Sequence, residues 1–333
     1  MAVLPWEARN AGKFCIFVAI GMAMGAMMIM YMLSSEQGKG ITSATQRRVP
    51  GKLRQQKTLN NRNDTRRRVE VHVHRNGPIP ESEYFARKKL VEDKCKRSSL
   101  TEEADTQQLR FNDQFIVDDE YKIIYCWVPK VASGNWKRTL VSLRQSYTNQ
   151  KWRPMNGDKN SGLSTFADYR DFEITARLES YFKFLFVRHP LERLLSAFRN
   201  RFESYAHPAV KSQPGSFSTF GTFVNFLSDS YYGGMSFNIH WRPVVDLCKP
   251  CQISYDFIGH YETLHDDFDF LSSLLHFRNT TFPDKSSYAT GSSDQNILRR
   301  YYSNLTANEK GILYKIYADD FDFFNYEKFQ FLK

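Results

Sequence analysis

Several common motifs are missing from this chain of 333 residues. It has no G-x-x-x-x-G-K-S/T sequence, which disfavours an ATP or GTP hydrolase built on a Walker A loop. It has one C-x-x-C pair, Cys248-Lys249-Pro250-Cys251, and no second one, so a structural disulfide or packed thiols are favoured over a zinc site. Internal repeats and low-complexity tracts are also missing, which excludes a repeat architecture.

Cysteine is sparse, with five in the whole chain. Cys15 lies in an apolar run near the N-terminus. The other four allow three full pairings in an oxidising compartment, and the sequence leaves all three open for Cys95, Cys126, Cys248 and Cys251.

Acidic residues are scarce between Ser34 and Pro80, a segment with eleven Lys and Arg residues but three acids. The whole chain carries a net charge of +10. Residues 34–105 are polar and basic with little apolar periodicity, so they are predicted to form a disordered stem, with a helical pattern over Glu81–Lys96 at its end. The positive balance indicates acidic partners, such as a nucleic acid, an anionic lipid or a polyanionic glycan, or a merely solvated spacer.

Only one long apolar run occurs, the twenty uncharged residues Phe14–Leu33. At ~1.5 Å rise per residue, a helix of this length just spans a ~30 Å hydrocarbon core. Arg9 and Lys13 precede the run, which predicts a cytosolic tail at 1–13, an anchor at 14–33 and a body beyond the membrane. A cleaved signal peptide is the alternative. Three N-x-S/T sequons support a lumenal body, at Asn63, Asn279 and Asn304.

Strand and helix patterns alternate over the predicted lumenal domain at 106–333. Strands are predicted at 121–128, 182–187 and 254–258. Helices are predicted at 136–147, 171–180, 191–204, 217–229, from His240 to Cys248, at 262–277, and after the capping box Thr306-x-x-Glu309. This order predicts an α/β fold with a central parallel sheet and helices on both faces.

Two segments are built alike, each an apolar strand that runs into a loop opening a helix. The loop at 129–135 carries Lys130, and the loop after strand 182–187 begins with Arg188. Such turns offer backbone N–H groups and a positive dipole end to an anion. Lys130 can neutralise a transferring group and Arg188 can grip a phosphate with its planar fork. Taken singly, Lys130 reads as a surface lysine and Arg188 as an ion pair with Glu192 or Asp168.

Three stretches resemble Golgi carbohydrate sulfotransferases: PKVASGNWKR from Pro129, RHPLERLLS from Arg188, and HWRPVVDLCKPCQISYDFIGHYETL from His240. The resemblance covers residues 111–331 and is greatest to the group of chondroitin, dermatan and GalNAc 4-O-sulfotransferases and the HNK-1 sulfotransferase. It implies a P-loop-like sulfotransferase fold, a single-pass type II Golgi membrane anchor with a lumenal catalytic domain, and PAPS (3′-phosphoadenylyl sulfate) as donor. Neither a metal nor a nucleic-acid partner is expected.

The same resemblance implies the donor site. The 5′-phosphosulfate would be bound by Pro129, Lys130, Val131, Ala132, Ser133, Gly134 and Asn135. The 3′-phosphate would be bound by Arg188, His189, Pro190, Leu191, Glu192, Arg193, Leu194, Leu195 and Ser196. Side-chain contacts are expected at Arg188 and Ser196, with the residues between them in a positioning role.

The acceptor implied is a glycan hydroxyl, most specifically the 4-position of GalNAc in chondroitin, dermatan or GalNAc-terminated chains. The alternative is 3-O-sulfation of glucuronic acid. Lys130 would stabilise charge on the bridging oxygen, and His240 is the candidate base, with Glu262 and Asp256 as alternatives. A path for an acidic glycan is expected along Lys137, Arg138, Arg199 and Arg201.

A Golgi glycosyltransferase is the competing enzyme class, because such enzymes share the anchor, stem and sequons and often hold a metal with D-x-D. Asp267-Phe268-Asp269 and Asp320-Phe321-Asp322 match that string, although solvated acids explain the first pair better. A non-enzymatic glycan-binding protein would not need paired anion loops.

Overall fold

A computed structural model of the chain describes residues 79–98, 105–110, 113–148, 162–203, 217–277, 280–283 and 290–329. The predicted anchor at 14–33, the part of the stem before Ile79, and the sequons at Asn63 and Asn279 lie outside the described residues. Within those described ranges, no helix has both the length and the apolar character needed to span a bilayer.

The elements are numbered in chain order. The strands are β1 Phe115–Asp118, β2 Ile123–Cys126, β3 Ser164–Thr165, β4 Phe182–Val187 and β5 Phe257–His260. The helices are α1 Glu81–Cys95, α2 Thr106–Arg110, α3 Ser133–Thr148, α4 Asp171–Ser180, α5 Pro190–Phe198, α6 Phe220–Tyr232, α7 Val244–Cys248, α8 Leu264–Leu274, α9 Gln295–Tyr302, α10 Ala307–Ile316 and α11 Ala318–Phe323. A π-helical turn, Arg199–Glu203, follows α5.

The five strands form one sheet in the order β3-β1-β2-β4-β5. β2, β4 and β5 are parallel, as predicted, but β1 pairs antiparallel with β2 and β3 antiparallel with β1. The prediction of a parallel sheet is therefore wrong for this edge. β1 and β2 are joined by a tight turn, in which the Asp118 carboxylate accepts from the N–H of Glu120 at 3.0 Å and of Tyr121 at 2.9 Å. A connection this short cannot carry a parallel crossover.

Helices cover both faces of the sheet, as predicted. Tyr125 of β2 and Phe184 of β4 stack on one face with ring centroids 4.8 Å apart, and Trp136 of α3 packs over both. Successive residues of a strand point to opposite faces, so Cys126 lies on the other side. There it is bonded to Cys248 of α7.

Gly259 in β5 lies directly beside Phe186 in β4. A Cβ at position 259 would come within 2.3 Å of the Phe186 ring, so only glycine lets this ring lie across the neighbouring strand. The ring also contacts Trp136, with centroids 4.7 Å apart. The close approach of β5 to Phe186 therefore helps to fix α3 on the sheet.

Helix α1 lies in the range assigned to the stem, yet it packs on the sheet and on α8, with the Tyr84 ring 5.3 Å from the Phe257 ring of β5. Tyr84 stacks on Phe270 at 4.1 Å, and Arg87 forms a 2.7 Å ion pair with the buried Asp267. Cys95 at its end is bonded to Cys251. The compact part of the chain therefore extends further toward the N-terminus than the range 106–333.

The cysteine pairing left open by the sequence is Cys95–Cys251 and Cys126–Cys248. The two cysteines of the C-x-x-C segment thus bond to different elements, one to α1 and the other to β2. The segment holds the first helix and the central strand together.

A second apolar cluster surrounds α5, with α6, α9, α10 and α11. Its buried members include Leu191, Leu194, Leu195, Phe198, Phe223, Leu227, Leu298, Ile312, Leu313 and Phe321. The Tyr302 hydroxyl donates to the carbonyl of Leu191 at 2.7 Å. This cluster fixes the helix that follows the second anion loop.

Candidate active site

The candidate loops lie at the same end of the parallel strands. Lys130 follows β2, Arg188 follows β4 and Glu262 follows β5, so all three lie beyond the carboxyl ends of parallel strands, where α/β proteins bind ligands. Asp256 precedes β5 and therefore lies at the opposite, amino-terminal end of the strands, where its carboxylate accepts from the N–H of Lys183 at 2.8 Å. The structure therefore places Asp256, an alternative base in the sequence analysis, away from the loops.

The first loop has two non-glycine residues in the left-handed region, Lys130 with φ 70° and Ala132 with φ 53°. Such backbone costs of order 1–3 kcal/mol per residue and is typical of ligand sites. Ser133 begins α3, in which the N–H groups of Asn135 and Trp136 donate to the carbonyl of Ala132 at 2.8 and 3.0 Å. The N–H groups of Ser133 and Gly134 precede them, at the helix start where intrahelical acceptors are missing. Gly134 is exposed, with no neighbouring atom within 4 Å of where a Cβ would stand. The loop therefore offers open space beside backbone donors, which suits an anion.

The Lys130 ammonium is half-buried and donates to the side-chain oxygen of Asn200. Burial, together with the charges of Arg201, Arg188 and Arg193, lowers the pKa of Lys130 to about 8. A negative group at the loop would relieve this repulsion. Among the described residues, the charged groups that shift this pKa are all arginines, and none of them is a carboxylate.

Arg188 begins the second loop and is buried. Its Nε faces the Glu192 carboxylate at 3.3 Å, its Nη1 donates to the carbonyl of Lys130 at 3.2 Å, and its Nη2 donates to Ser293 at 2.8 Å. The expected ion pair with Glu192 is therefore present. The contact with Lys130 brings the two loops together.

A run of hydroxyl residues that sequence reasoning missed lies against this arginine. Ser196 is 3.0 Å from Thr290, Thr290 is 2.8 Å from Ser292, and Ser292 accepts from Arg188 at 3.1 Å. The signal in the sequence is Thr290-Gly291-Ser292-Ser293, in which Gly291 has φ 62°. The two residues expected to contact the 3′-phosphate, Arg188 and Ser196, are thus joined by a chain of hydroxyls.

Other residues of the second stretch pack rather than face the site. Leu191, Leu194 and Leu195 are buried in the apolar cluster around α5. The His189 ring stacks on Phe329 at 3.9 Å, and its Nδ1 accepts from the N–H of Leu191 at 3.3 Å, which caps α5. Burial lowers the pKa of His189 to about 4, so this ring is neutral at physiological pH.

Arg193 is fully buried and donates to three backbone carbonyls. Nε donates to Pro129 at 3.1 Å, Nη1 to Arg242 at 2.7 Å and Nη2 to Ile239 at 3.2 Å. Because its guanidinium makes these three hydrogen bonds, Arg193 positions the loop at Lys130 and the turn that carries His240.

His240 lies in that turn, and its Nε2 contacts the Arg201 guanidinium. Arg201 and the Asn200 that binds Lys130 both come from the π-helical turn after α5. The predicted catalytic pair, Lys130 and His240, is therefore linked by neighbouring residues of one turn. π-helical turns inside helices are frequent at functional sites.

The model of the Sulfotransferase family matches residues 113–327, which include every residue of this site. The chain belongs to the sulfotransferase family. It is 34% identical to mouse carbohydrate sulfotransferase 11 over 273 residues, which cover 74% of the chain and 77% of that protein. It is 33% identical to human carbohydrate sulfotransferase 8, over 73% of the chain and 62% of that protein. It is 44% identical to mouse carbohydrate sulfotransferase 14, over 46% of the chain and 44% of that protein. No solved structure matches this chain.

The family resemblance inferred from the sequence is thus confirmed.

Glu262, the other alternative base, lies near the loops. Glu262 accepts from the N–H of His189 at 2.8 Å and from the Tyr326 hydroxyl at 3.0 Å. Loss of solvent around its carboxyl and the nearby Glu192 raise the pKa of Glu262 to about 6. Glu262 contacts the loop that carries Arg188, whereas His240 is linked to Lys130 through Arg201 and Asn200.

The basic residues expected along a glycan path have different surroundings. Lys137 lies 3.5 Å over the Trp127 ring, and Arg138 donates to Asn135. Arg199 donates to the carbonyl of Thr290 and pairs with Glu203. Arg201 contacts His240, and its charge also acts on Lys130.

The first aspartate of each D-x-D string is bonded within the fold. Asp267 is buried, accepts the His260 N–H at 2.6 Å and pairs with Arg87, so it is not the solvated acid expected from the sequence. Asp320 is buried and accepts the N–H groups of Val244 and Val245 at 2.8 and 3.0 Å. Over the described part of the chain, no group of three or more His, Cys, Asp or Glu side chains is placed to hold a metal ion.

Proposed function

We propose that this chain transfers the sulfuryl group of PAPS to a hydroxyl of a glycan. The observation that carries the proposal is the 3.2 Å hydrogen bond from Arg188 to the carbonyl of Lys130. It brings the two loops close enough for one nucleotide with a phosphate at 3′ and a phosphosulfate at 5′ to contact both. The carbohydrate sulfotransferases among the relatives support a sugar as acceptor.

The residues present fit this donor. Lys130, the hydroxyl of Ser133 and the open backbone at Gly134 would hold the 5′-phosphosulfate in a P-loop-like cradle. Arg188 and Ser196, with the hydroxyl chain at 290–293, would hold the 3′-phosphate. The donor supplies an activated sulfuryl group.

His240 is the proposed base, and Lys130 the proposed stabiliser of charge. As the acceptor hydroxyl oxygen bonds to sulfur, its proton passes to the His240 ring, and the bond from sulfur to the bridging phosphate oxygen breaks. The Lys130 cation would offset the negative charge that develops on the bridging oxygen. The 3′,5′-bisphosphate nucleotide and the sulfated glycan leave.

The proposed acceptor position is the 4-hydroxyl of GalNAc in chondroitin, dermatan or GalNAc-terminated chains. The 3-hydroxyl of glucuronic acid is the second candidate. Both follow from the resemblance of the segments at 129–138, 188–196 and from His240 onward to the 4-O-sulfotransferase and HNK-1 group.

The proposed location is the Golgi membrane, with a single-pass type II anchor at 14–33 and a lumenal catalytic domain. The uncharged run, the basic residues before it and two disulfides typical of an oxidising compartment support it. N-glycans are proposed at Asn63, Asn279 and Asn304, of which Asn304 is described and exposed. Neither a metal nor a nucleic acid is required.

The test uses the full chain in detergent with radiolabelled PAPS and desulfated chondroitin or dermatan. We expect label in the polymer, and disaccharide analysis should place it on the 4-position of GalNAc. Label at the 3-position of glucuronic acid would select the second candidate. Folded protein that binds the bisphosphate nucleotide but labels no glycan would refute the activity.

A further inference from the structure

The last described residues of the chain fold back onto the second loop. After α11 the backbone reverses through Asn325, which has φ 54°. The N–H of Tyr326 then donates to the carbonyl of Phe321 at 3.0 Å, which closes the turn. Residues 326–329, the C-terminal strap, are thereby brought against His189, the residue that follows Arg188.

The ring of His189 is enclosed by aromatic rings from this end of the chain. Phe329 of the strap stacks on it, with centroids 3.9 Å apart and the planes at 12°. The rings of Phe321 and Tyr326 meet it in T-shaped arrangements at 5.4 and 5.5 Å. Stacked and edge-to-face contacts of this kind stabilise a pair of rings beyond the area that they bury. The three rings therefore fix the orientation of the imidazole.

Both nitrogens of the same imidazole are hydrogen-bonded. Nδ1 accepts from the N–H of Leu191 at 3.3 Å, so in the neutral ring the proton is on Nε2. Nε2 then donates to the carbonyl of Glu327, in the strap, at 3.0 Å. His189 thus caps α5 with one nitrogen and binds the strap with the other.

The backbone of His189 is connected to the strap as well. Its N–H donates to one carboxylate oxygen of Glu262 at 2.8 Å, and the Tyr326 hydroxyl donates to the other at 3.0 Å. Glu262 therefore bridges the strap and the peptide that joins Arg188 to His189. The strap thus holds the second loop through both the side chain and the backbone of one residue.

We infer that the C-terminal strap is a positioning element of the donor site, which holds His189 and, through it, the Arg188 backbone in the arrangement that binds the 3′-phosphate of PAPS. The inference rests on the proposed function and deepens it, because it adds residues outside both loops that set the affinity for the donor. The transfer step should be affected little, since Lys130 and His240 are bonded to the π-helical turn.

The test compares Phe329→Ala with Lys328→Ala in the full chain. Lys328 is the exposed neighbour of Phe329, and its ammonium lies 4.6 Å over the Tyr314 ring. We expect Phe329→Ala to weaken binding of the bisphosphate nucleotide and to raise the KM for PAPS, each by about three- to tenfold, because the stacked ring is lost. The kcat at saturating PAPS, with desulfated chondroitin as acceptor, should stay within about twofold of the wild type. Lys328→Ala should resemble the wild type in all three measurements.

A second variant shows whether the strap acts through His189. In His189→Asn the side chain can still accept at the start of α5, but the stacked ring is gone. Nucleotide binding should weaken about as much as in Phe329→Ala, and combining the two substitutions should add little, because both remove the same contact.

Two results overturn this inference and leave the proposed function standing. One is an unchanged nucleotide affinity in Phe329→Ala, even if its melting temperature falls. The other is a double variant in which the effects of Phe329→Ala and His189→Asn multiply. A wild-type chain that is folded and does not bind the bisphosphate nucleotide overturns the proposed function, and this inference with it.

Discussion

Arg188 donates a hydrogen bond from Nη1 to the backbone carbonyl oxygen of Lys130 across 3.2 Å. The two residues follow strands that are paired in parallel, β2 and β4, so the sheet itself brings the loops side by side. The arginine therefore has two roles in the proposed site. It supplies positive charge, and it holds the backbone of the loop that carries Lys130.

Arg188→Ala should remove both roles, and Arg188→Lys should keep the charge but lose the fork. We expect kcat/KM for PAPS to fall by at least about a hundredfold in the alanine variant and by less in the lysine variant. Arg177→Lys is a matched control, because Arg177 makes a two-pronged pair with Asp119 far from the loops. Kinetics at varied PAPS and calorimetry with the bisphosphate nucleotide measure the effect. Unchanged donor affinity in Arg188→Ala would contradict the assignment.

The charge of Lys130 should appear in the pH profile. Its pKa is lowered to about 8 by burial and by the nearby arginines, so the ammonium loses its proton as the pH rises through that value. The profile of kcat/KM reports the free enzyme and should fall above about pH 8, by up to tenfold per pH unit. In Lys130→Arg the cation persists, so this fall should disappear, whatever the absolute rate. An identical fall in both proteins would assign it to another group.

His240 and Glu262 can be separated by their effects on turnover. His240→Gln should lower kcat by about 10²- to 10⁴-fold with little change in the KM for PAPS, as expected for loss of a general base. Glu262→Gln should change kcat by less than about tenfold, since an amide oxygen can still accept from the N–H of His189. Single-turnover rates with saturating PAPS give the comparison. The reverse order of the two effects would make Glu262 the base.

The two disulfides should differ in their effect on the donor. Peptide mapping without reduction should recover the links Cys95–Cys251 and Cys126–Cys248. Replacing either pair by serine should cost about 2–5 kcal/mol of stability. Cys126 lies three residues before Pro129, so loss of its bond should also raise the KM for PAPS, and loss of Cys95–Cys251 should not. Recovery of a peptide linking Cys248 to Cys251 would contradict the pairing.

Parts of the fold follow from the sequence because local pattern and tertiary packing agree there. Helix 171–180 and strand 182–187 were predicted with the bounds that the structure shows. In the helix, Glu173 accepts the N–H of Arg170 at 2.8 Å, and Ile174 is buried, so capping and core burial select the same segment. The capping box at Thr306 likewise begins α10 as predicted.

Other elements depend on distant contacts. β1 has four residues and is stabilised by its pairing with β2, which its short apolar pattern does not reveal. A strand was predicted at 254–258 and is observed at 257–260. It begins after Asp256, whose side-chain carboxylate accepts from the N–H of Lys183 in the neighbouring strand. The predicted helix starting at His240 begins at Val244, whose N–H is bound by Asp320.

The sequence predicts the two loops of the candidate site, but not the turn and the distant hydroxyl residues that contact them. The periodicity after Arg188 predicts a regular helix to residue 204, yet α5 ends at Phe198 and a π-helical turn follows. That turn directs Asn200 to Lys130 and Arg201 to His240. Ser292 lies about a hundred positions from Arg188 in the chain, and only the folded structure places them 3.1 Å apart.

The three carbonyls bound by Arg193 have a consequence for how the proposed site tolerates change. One belongs to Pro129, in the loop that carries Lys130, and two belong to Ile239 and Arg242, on either side of the proposed base. The loop and the turn should therefore move together, because one guanidinium binds both. A substitution that removes the Arg193 guanidinium would therefore disturb the loop of the proposed charge stabiliser and the turn of the proposed base at the same time.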